Sequence, residues 1–432
     1  MSPPFRLGCR TLLCAVLVAQ AMQAQSTTSP PRLTSAVRAA VIDSAVANLQ
    51  RTYVDADTAR AIGERLRARL AAGAYDGLDQ APQFAESVTR DLRSVNGDLH
   101  LSLRYVPAAA QQGAAGAMGG DPRSQNFGLA RLEILDGNVG YLEITAFMGA
   151  PGNEAVVADA LRFLARTDAV IIDVRRNGGG SSEMSHLVFS HFLAAEPVET
   201  IKVRRRLPNE PTIRHSMATV PGPRRPDVPL YVLTSQATGS AAEEFAFVLK
   251  NQKRAMIVGT RTAGAGHMVT FVNIGNGFGM GLSITRVSDP ATGAEWERVG
   301  VQPDLAVSAE AALAEAHVVA LRAVLSSATD AERKRIVARL LVLAEARRRP
   351  VPVDPARLAR FAGVYEGRVV SVVDGQLRYA RRDGGIAEQM VVLGNDRFAI
   401  GAAQFRFGFE GSAVRLSIEL GDGTTVSFVK SP

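Results

Sequence analysis

Ala169-Val-Ile-Ile172 is apolar at every position and runs straight into Asp173-Val-Arg-Arg-Asn-Gly-Gly-Gly180. A strand with no polar face must be covered on both sides, as in a parallel sheet layered with helices. The neighbouring pattern agrees. Residues 139–144 read as a strand, 154–166 and 183–193 as helices, 230–234 as a strand, 240–251 as a helix and 255–259 as a strand. This alternation predicts an α/β layer structure with a mostly parallel sheet. With 47% hydrophobic residues among 432, the chain has enough apolar material for a sizeable core.

The flanks differ in texture. Val37, Val41, Ala45 and Leu49 recur at helical spacing. Further helical stretches cover 58–71 and 80–95, then Asn96-Gly97-Asp98 makes a turn and 100–105 alternates like a strand. These assign an N-terminal helical cap domain to 33–106. Residues 107–126 are Ala/Gly/Gln-rich and read as a flexible loop, too short for an inserted folded module. The central domain is expected over 125–349, its last part, 308–349, being helical until Pro350-Val351-Pro352 breaks it. From 355 to 432 short alternating runs are separated by Gly, Asp or Asn, which predicts a small C-terminal all-β domain, sandwich or barrel.

Arg6 and Arg10, the short apolar run 11–21 and the small residues Ala21 and Ala24 have the order of a signal peptide over 1–24, cleaved near Ala21 or Ala24. The expected location is periplasmic or secreted, with no stable membrane insertion after cleavage. Cys9 and Cys14, the chain's two cysteines, both fall in this segment, so the mature protein has no thiolate nucleophile, disulfide or cysteine metal site. The net charge of +7 rests on arginines spread along the chain, with only Lys202, Lys250, Lys253, Lys334 and Lys430 as lysines. No aromatic-interleaved basic stripe accompanies them, and no nucleic-acid partner is expected.

Three segments carry candidate chemistry. The glycine run ending at Gly179 and Gly180 allows a backbone to approach a ligand and aim N–H groups at it, as an oxyanion pocket does; a tight strand-to-helix turn is the plainer reading. In Thr234-Ser-Gln-Ala-Thr-Gly239-Ser240-Ala241-Ala242-Glu243-Glu244, Ser240 follows a strand and opens a helix. That position presents the hydroxyl and leaves the Ala241 N–H free to donate, although an N-cap serine is common. A serine hydroxyl needs a base. Lys250 lies about 15 Å along the helix by its rise, and no lysine follows between Lys253 and Lys334. His100, in Asn96-Gly97-Asp98-Leu99-His100-Leu101, is a candidate, with His267 in Ala263-Gly-Ala-Gly-His267 as its competitor. His186 and His191 look like ordinary helix residues. A carboxylate from Glu295-Trp296-Glu297 can orient an imidazole.

In this order the segments resemble the C-terminal processing (tail-specific) serine peptidase family, in the branch of the tricorn protease core and the interphotoreceptor retinoid-binding protein repeats. The resemblance spans 34–307 and includes Tyr53-Val54, Gly97-Asp98-Leu99-His100, Val139-Gly140-Tyr141-Leu142, the glycine run, Ser240-Ala-Ala-Glu-Glu, Val258-Gly259 to His267 and Gly300-Val301-Gln302-Pro303-Asp304. It implies a crotonase-like core, Ser240 as nucleophile, and the N–H groups of Ala241 and of Gly179 or Gly180 as oxyanion hole. The tail-specific branch takes its base from a lysine about 25 residues past the serine, where this chain has Ala265. The tricorn-like branch implies His100 as base and Glu297 as its carboxylate. Leu99 departs from the serine found there in tricorn, and no room is left for a PDZ domain between Tyr105 and Phe127. The implied activity is hydrolysis of peptides or unfolded proteins through an acyl-enzyme, with no metal or organic cofactor. The alternative on the same scaffold is a non-proteolytic binding module for apolar ligands or peptides. An esterase or amidase would use the same residues.

Overall fold

The computed structural model describes residues 32–106, 121–206, 210–382 and 384–432. The expected export segment and most of the loop expected at 107–126 lie outside them. Three helices open the described chain: α1 (Ser35–Thr52), α2 (Ala56–Ala71) and α3 (Ala81–Arg93). Thr34 and Asp55 begin the first two by accepting the N–H groups of Val37 and Thr58, donors the helix itself cannot satisfy. Then come β1 (Ser102–Tyr105), β2 (Leu129–Leu135), β3 (Val139–Ile144), α4 (Asn153–Phe163), β4 (Ala169–Asp173) and α5 (Ser182–Ser190). They are followed by β5 (Glu199–Arg205), β6 (Thr212–His215), β7 (Leu230–Thr234), α6 (Ala241–Asn251), β8 (Met256–Gly259), β9 (Met268–Gly275), β10 (Phe278–Ser288) and β11 (Leu305–Ala306).

The central sheet has the order β11-β8-β7-β4-β3-β2. Every neighbouring pair is parallel except β2 with β3. All five residues of β4 and of β7 are buried, as the apolar runs 169–172 and 230–233 within them require. α5 and α6 supply Leu187, Phe189, Phe245 and Val248 to one core cluster with Ile172 and Val232. On the other face, α7 (Ala312–Ser327) and α8 (Ala331–Arg348) cover Ile171, Tyr231 and Leu233. The expected single helical stretch at 308–349 is thus two helices, because Asp330 caps the second by accepting the Arg333 N–H.

A second sheet, β1-β10-β5-β6 with β9 on the other edge of β10, had no counterpart in the sequence reading beyond β1. Its β9 and β10 give Ile274, Phe278, Met280 and Leu282 to the cluster that buries α1–α3. The N-terminal helices therefore close their core on residues 268–288, far away in sequence. This places the turn after α3 over the carboxyl ends of the central strands. After α9 (Pro355–Phe361), strands β12–β20 between Gly363 and Val429 form a four-stranded and a five-stranded antiparallel sheet sharing one core around Phe361, Phe398 and Phe407.

Candidate active site

The site forms where β4 and β7 end. Both chains turn there and are tied together: Ser235 Oγ donates to Arg175 O at 2.6 Å, Thr238 Oγ1 to Val174 O at 2.8 Å, and the Gly239 N–H to Asn177 O at 3.0 Å. Ser240 follows with φ 52° and ψ −120°. A non-glycine residue in this region is strained by about 1–3 kcal/mol and persists only where its surroundings impose it. Here the imposing group is Glu243, whose Oε2 accepts the Ser240 N–H at 2.9 Å. The same buried carboxylate accepts Thr262 Oγ1–H at 2.5 Å and the N–H groups of Gly264 and Ala265 at 2.7 and 2.8 Å.

The glycine run lies directly against Ser240. A Cβ on Gly179 would meet Ser240 Cβ at 2.8 Å, and one on Gly180 would meet Phe147 O at 2.1 Å. Both have positive φ, 114° and 128°, so glycine is needed for space and for conformation. The two differ in their donors. The Gly179 N–H is engaged by Asn177 Oδ1 at 2.8 Å. Among the described residues no protein acceptor takes the N–H of Gly180 or of Ala241.

His100, 140 residues before Ser240 in the chain, sits with Nε2 3.3 Å from Ser240 Oγ. Burial pulls its pKa below the usual histidine range, while the Asp98 charge opposes and the His267 charge reinforces that shift. Its other nitrogen, Nδ1, is buried and has no hydrogen-bond partner among the described residues. Lys250 is occupied elsewhere, donating to Gln302 O and to Asp304. His186 and His191 bond to the carbonyls of His215 and Pro223.

Glu297 is brought to the neighbourhood but not onto His100. Its Oε2 accepts the N–H groups of Gly266 and His267 at 2.6 and 3.1 Å and lies 3.8 Å from His267 Nδ1. Asp98, which sequence reasoning did not single out, has no exposed surface. Its Oδ1 accepts the His100 N–H at 2.9 Å, and its Oδ2 accepts Tyr53 O–H at 2.9 Å and His267 Nδ1–H at 3.0 Å. Burial pushes the Asp98 carboxyl up, but His267, by its bond and its charge, together with the Tyr53 O–H outweighs it and holds it well below the usual range. Burial pulls His267 down, but Asp98 and Glu297 outweigh it and raise its pKa above the ordinary value. Burial raises Glu297. Asp98, His267 and Glu297 bring three ligand-type atoms within 4.8 Å of one another. Asp98 Oδ2 also accepts Tyr53 O–H and Glu297 Oε2 accepts two backbone N–H groups, while Glu297 Oε1 is buried with no hydrogen-bond partner among the described residues. The Asp-x-His spacing, an Asx-type turn, and the Ser-x-x-Glu spacing, a capping-box pattern, were the sequence signals for Asp98 and Glu243.

Residues 138–307 match the family model described as Peptidase family S41. A chloroplastic C-terminal processing peptidase of Tetradesmus obliquus is 29% identical over 178 residues, 40% of this chain and 36% of that protein. A carboxyl-terminal-processing protease of Picosynechococcus is 29% identical over 173 residues, 40% of each. The chain thus spans about two fifths of the curated relatives it matches. Among solved structures, a photosystem II D1 C-terminal processing protease aligns at a TM-score of 0.43 and 17% identity, covering 65% of this chain and 95% of that one.

Proposed function

We propose that this chain, similar through residues 138–307 to peptidase family S41, is an exported serine peptidase acting on peptides or unfolded proteins in the periplasm or outside the cell. The observation that carries this is the approach of His100 Nε2 to 3.3 Å from the Oγ of a serine held at φ 52°. A strained serine beside a neutral, buried imidazole is what activation of a weak nucleophile requires, and such contacts tighten when substrate binds.

His100 Nε2 takes the proton of Ser240 Oγ as the oxygen attacks the substrate carbonyl carbon. The negative charge that develops on the carbonyl oxygen is met by the N–H groups of Ala241 and Gly180, the two open donors beside Ser240. Gly179 supplies clearance rather than a donor, its N–H being held by Asn177. His100 then protonates the leaving amine, and water attacks the acyl-enzyme with His100 again as base. Loss of one oxyanion donor lowers such rates by about 10²–10³. Residues 125–349 act as the catalytic domain on a crotonase-like core, 33–106 as the cap that brings His100, and 355–432 as an appended β domain.

Two measurements test this. A fluorophosphonate should label Ser240 in the wild type and not in Ser240→Ala, and unfolded casein should be cleaved only by the former. Equal cleavage by both proteins would sink the proposal, and absence of labelling with retained binding of apolar ligands would favour a binding module.

A further inference from the structure

Among the described residues His100 has no partner at the ring nitrogen that usually orients a catalytic imidazole, Nδ1 being buried and unbonded. Its backbone is fastened instead. Arg93 on α3 donates from Nη2 to Leu99 O at 2.7 Å and from Nε to Leu101 O at 2.8 Å. Asp98 Oδ1 takes the His100 N–H between them. The reach of His100 to Ser240 is therefore set by the peptide groups around it, and Asp98 is the junction.

Asp98 looks two ways. Oδ1 serves the base loop, and Oδ2 receives Tyr53 from the end of α1 and His267 from the loop after β8. That second loop is itself rigid. Gly264 and Ala265 donate to Glu243, and Gly266 and His267 donate to Glu297, so four successive N–H groups end on two carboxylates. Glu243 also holds Ser240. A continuous set of hydrogen bonds thus runs from the Ser240 backbone through Glu243, the 264–267 loop, the His267 ring and Asp98 to the His100 backbone.

We infer that His267 is a positioning residue: by donating to Asp98 it fixes the His100 backbone relative to Ser240. This rests on reading Ser240 and His100 as nucleophile and base. The His267 side chain is 10% exposed and that of Asp98 0%, so the contact is shielded from water, where a hydrogen bond between opposite charges is strong. The charged and titratable groups around His267 are Asp98 and His100 on the base loop, Tyr53 at the end of α1, Arg286 on β10 and Glu297. A protonated His267 disfavours a second positive charge on His100, whereas Asp98 favours it. Removing the His267 charge therefore raises the proton affinity of His100. Its neutral form is the base, so the acid limb of the rate profile should move to higher pH.

The experiment measures the rate of fluorophosphonate labelling of Ser240 against pH for wild type, His267→Ala and His267→Gln. Histidine NMR titrations accompany it, with His100 assigned through His100→Gln. A displaced base should slow labelling of His267→Ala about tenfold to a hundredfold at neutral pH. His267→Gln keeps an N–H donor for Asp98 and should recover most of that rate above the limb, while keeping the limb displaced to higher pH. A general loosening of the fold would slow labelling without moving the limb. If either folded variant labels at the wild-type rate with the wild-type limb, the inference is wrong. If wild type is not labelled at any pH, the nucleophile reading fails separately. The inference is then decided by the His100 titration midpoint in His267→Gln, where an upward move supports it and an unchanged value overturns it.

Discussion

Glu243→Gln tests whether a buried carboxylate imposes the backbone of Ser240. Glu243 Oε1 accepts Thr262 Oγ1–H and the Gly264 N–H, and Oε2 accepts the N–H groups of Ala265 and Ser240. An amide has one acceptor oxygen, so one pair must face an NH₂ group. Turning the NH₂ toward Ala265 and Ser240 orphans two buried donors. Turning it toward Thr262 and Gly264 orphans one, and the hydroxyl, which also accepts the Val301 N–H at 2.7 Å, has to rotate. The second orientation is the cheaper. An unsatisfied buried donor costs about 1–3 kcal/mol, and each remaining bond weakens from charge-assisted to neutral by about 1 kcal/mol. Against this, burial pushes the Glu243 pKa up, so the ion carries a desolvation cost that the amide avoids. The net expectation is a loss of about 2–3 kcal/mol, a large part of a stability of roughly 5–15 kcal/mol. Glu243→Ala strands all four donors and should lose more. Urea unfolding at neutral pH gives the values, and fluorophosphonate labelling reports Ser240. If Glu243→Gln unfolds at the wild-type midpoint, or if Glu243→Ala is no worse than Glu243→Gln, the assignment of the anchor to hydrogen bonding is refuted.

Gly180→Ala puts a Cβ 2.1 Å from Phe147 O at φ 128°, so the glycine turn must move; a clear drop in melting temperature and loss of labelling are expected, and an unchanged melt would contradict the packing. Lys250→Met should leave labelling intact, because Lys250 is bound to Gln302 O and Asp304; loss of labelling in a folded variant would return the base role to a lysine. The acid limb of wild-type labelling should lie below the ordinary histidine value of about 6.5, since burial lowers His100 and the neutral ring is the active form; a limb at higher pH would contradict that environment. Burial pushes Glu244 up to about 7 despite Arg214 beside it at 3.1 Å. A carboxyl with a raised folded pKa keeps its proton longer in the native state. Its contribution to stability should therefore fall as pH rises from about 4.5 to about 7 and stay level above. Glu244→Gln should flatten that interval in the difference between the two pH–stability curves, and parallel curves would show that Glu244 does not titrate there.

The central strands were legible because burial on both faces leaves a one-residue-type signature, as in 169–172 and 230–233. The carboxyl-terminal strands were legible for the opposite reason, since alternation broken by Asp374-Gly375, Asn395-Asp396 or Gly411 marks each hairpin. The second sheet escaped notice in part because β5 and β9 are half-exposed and irregular: β5 is mostly open to solvent, and β9 pairs with β10 through register shifts. One local signal was there. Asn276-Gly277 has positive φ at both positions, 54° and 79°, the conformation that this dipeptide favours in a tight hairpin.

The site shows the same division between local and distant information. Ser240 and the glycine run announce themselves because strand, turn and helix start are contiguous in the chain. The contact of His100 with Ser240 depends on helices α1–α3 closing their core over 268–288, and no local pattern encodes that. Glu297 illustrates the limit best. The resemblance suggested a carboxylate for the base, but the geometry sets it on the N–H groups of Gly266 and His267. The reason is steric as well as polar. A Cβ on Gly264 would meet the Arg298 carbonyl carbon at 2.8 Å, and one on Gly266 would meet Glu297 N at 2.7 Å. Gly264-Ala-Gly266 is thus the imprint of the Glu297-Arg298 backbone pressed against it. Neither segment reveals this alone, because each looks like an ordinary loop until the other is laid on it. The pairing also explains why the carboxylate there ends on the backbone of His267 rather than on the ring of His100.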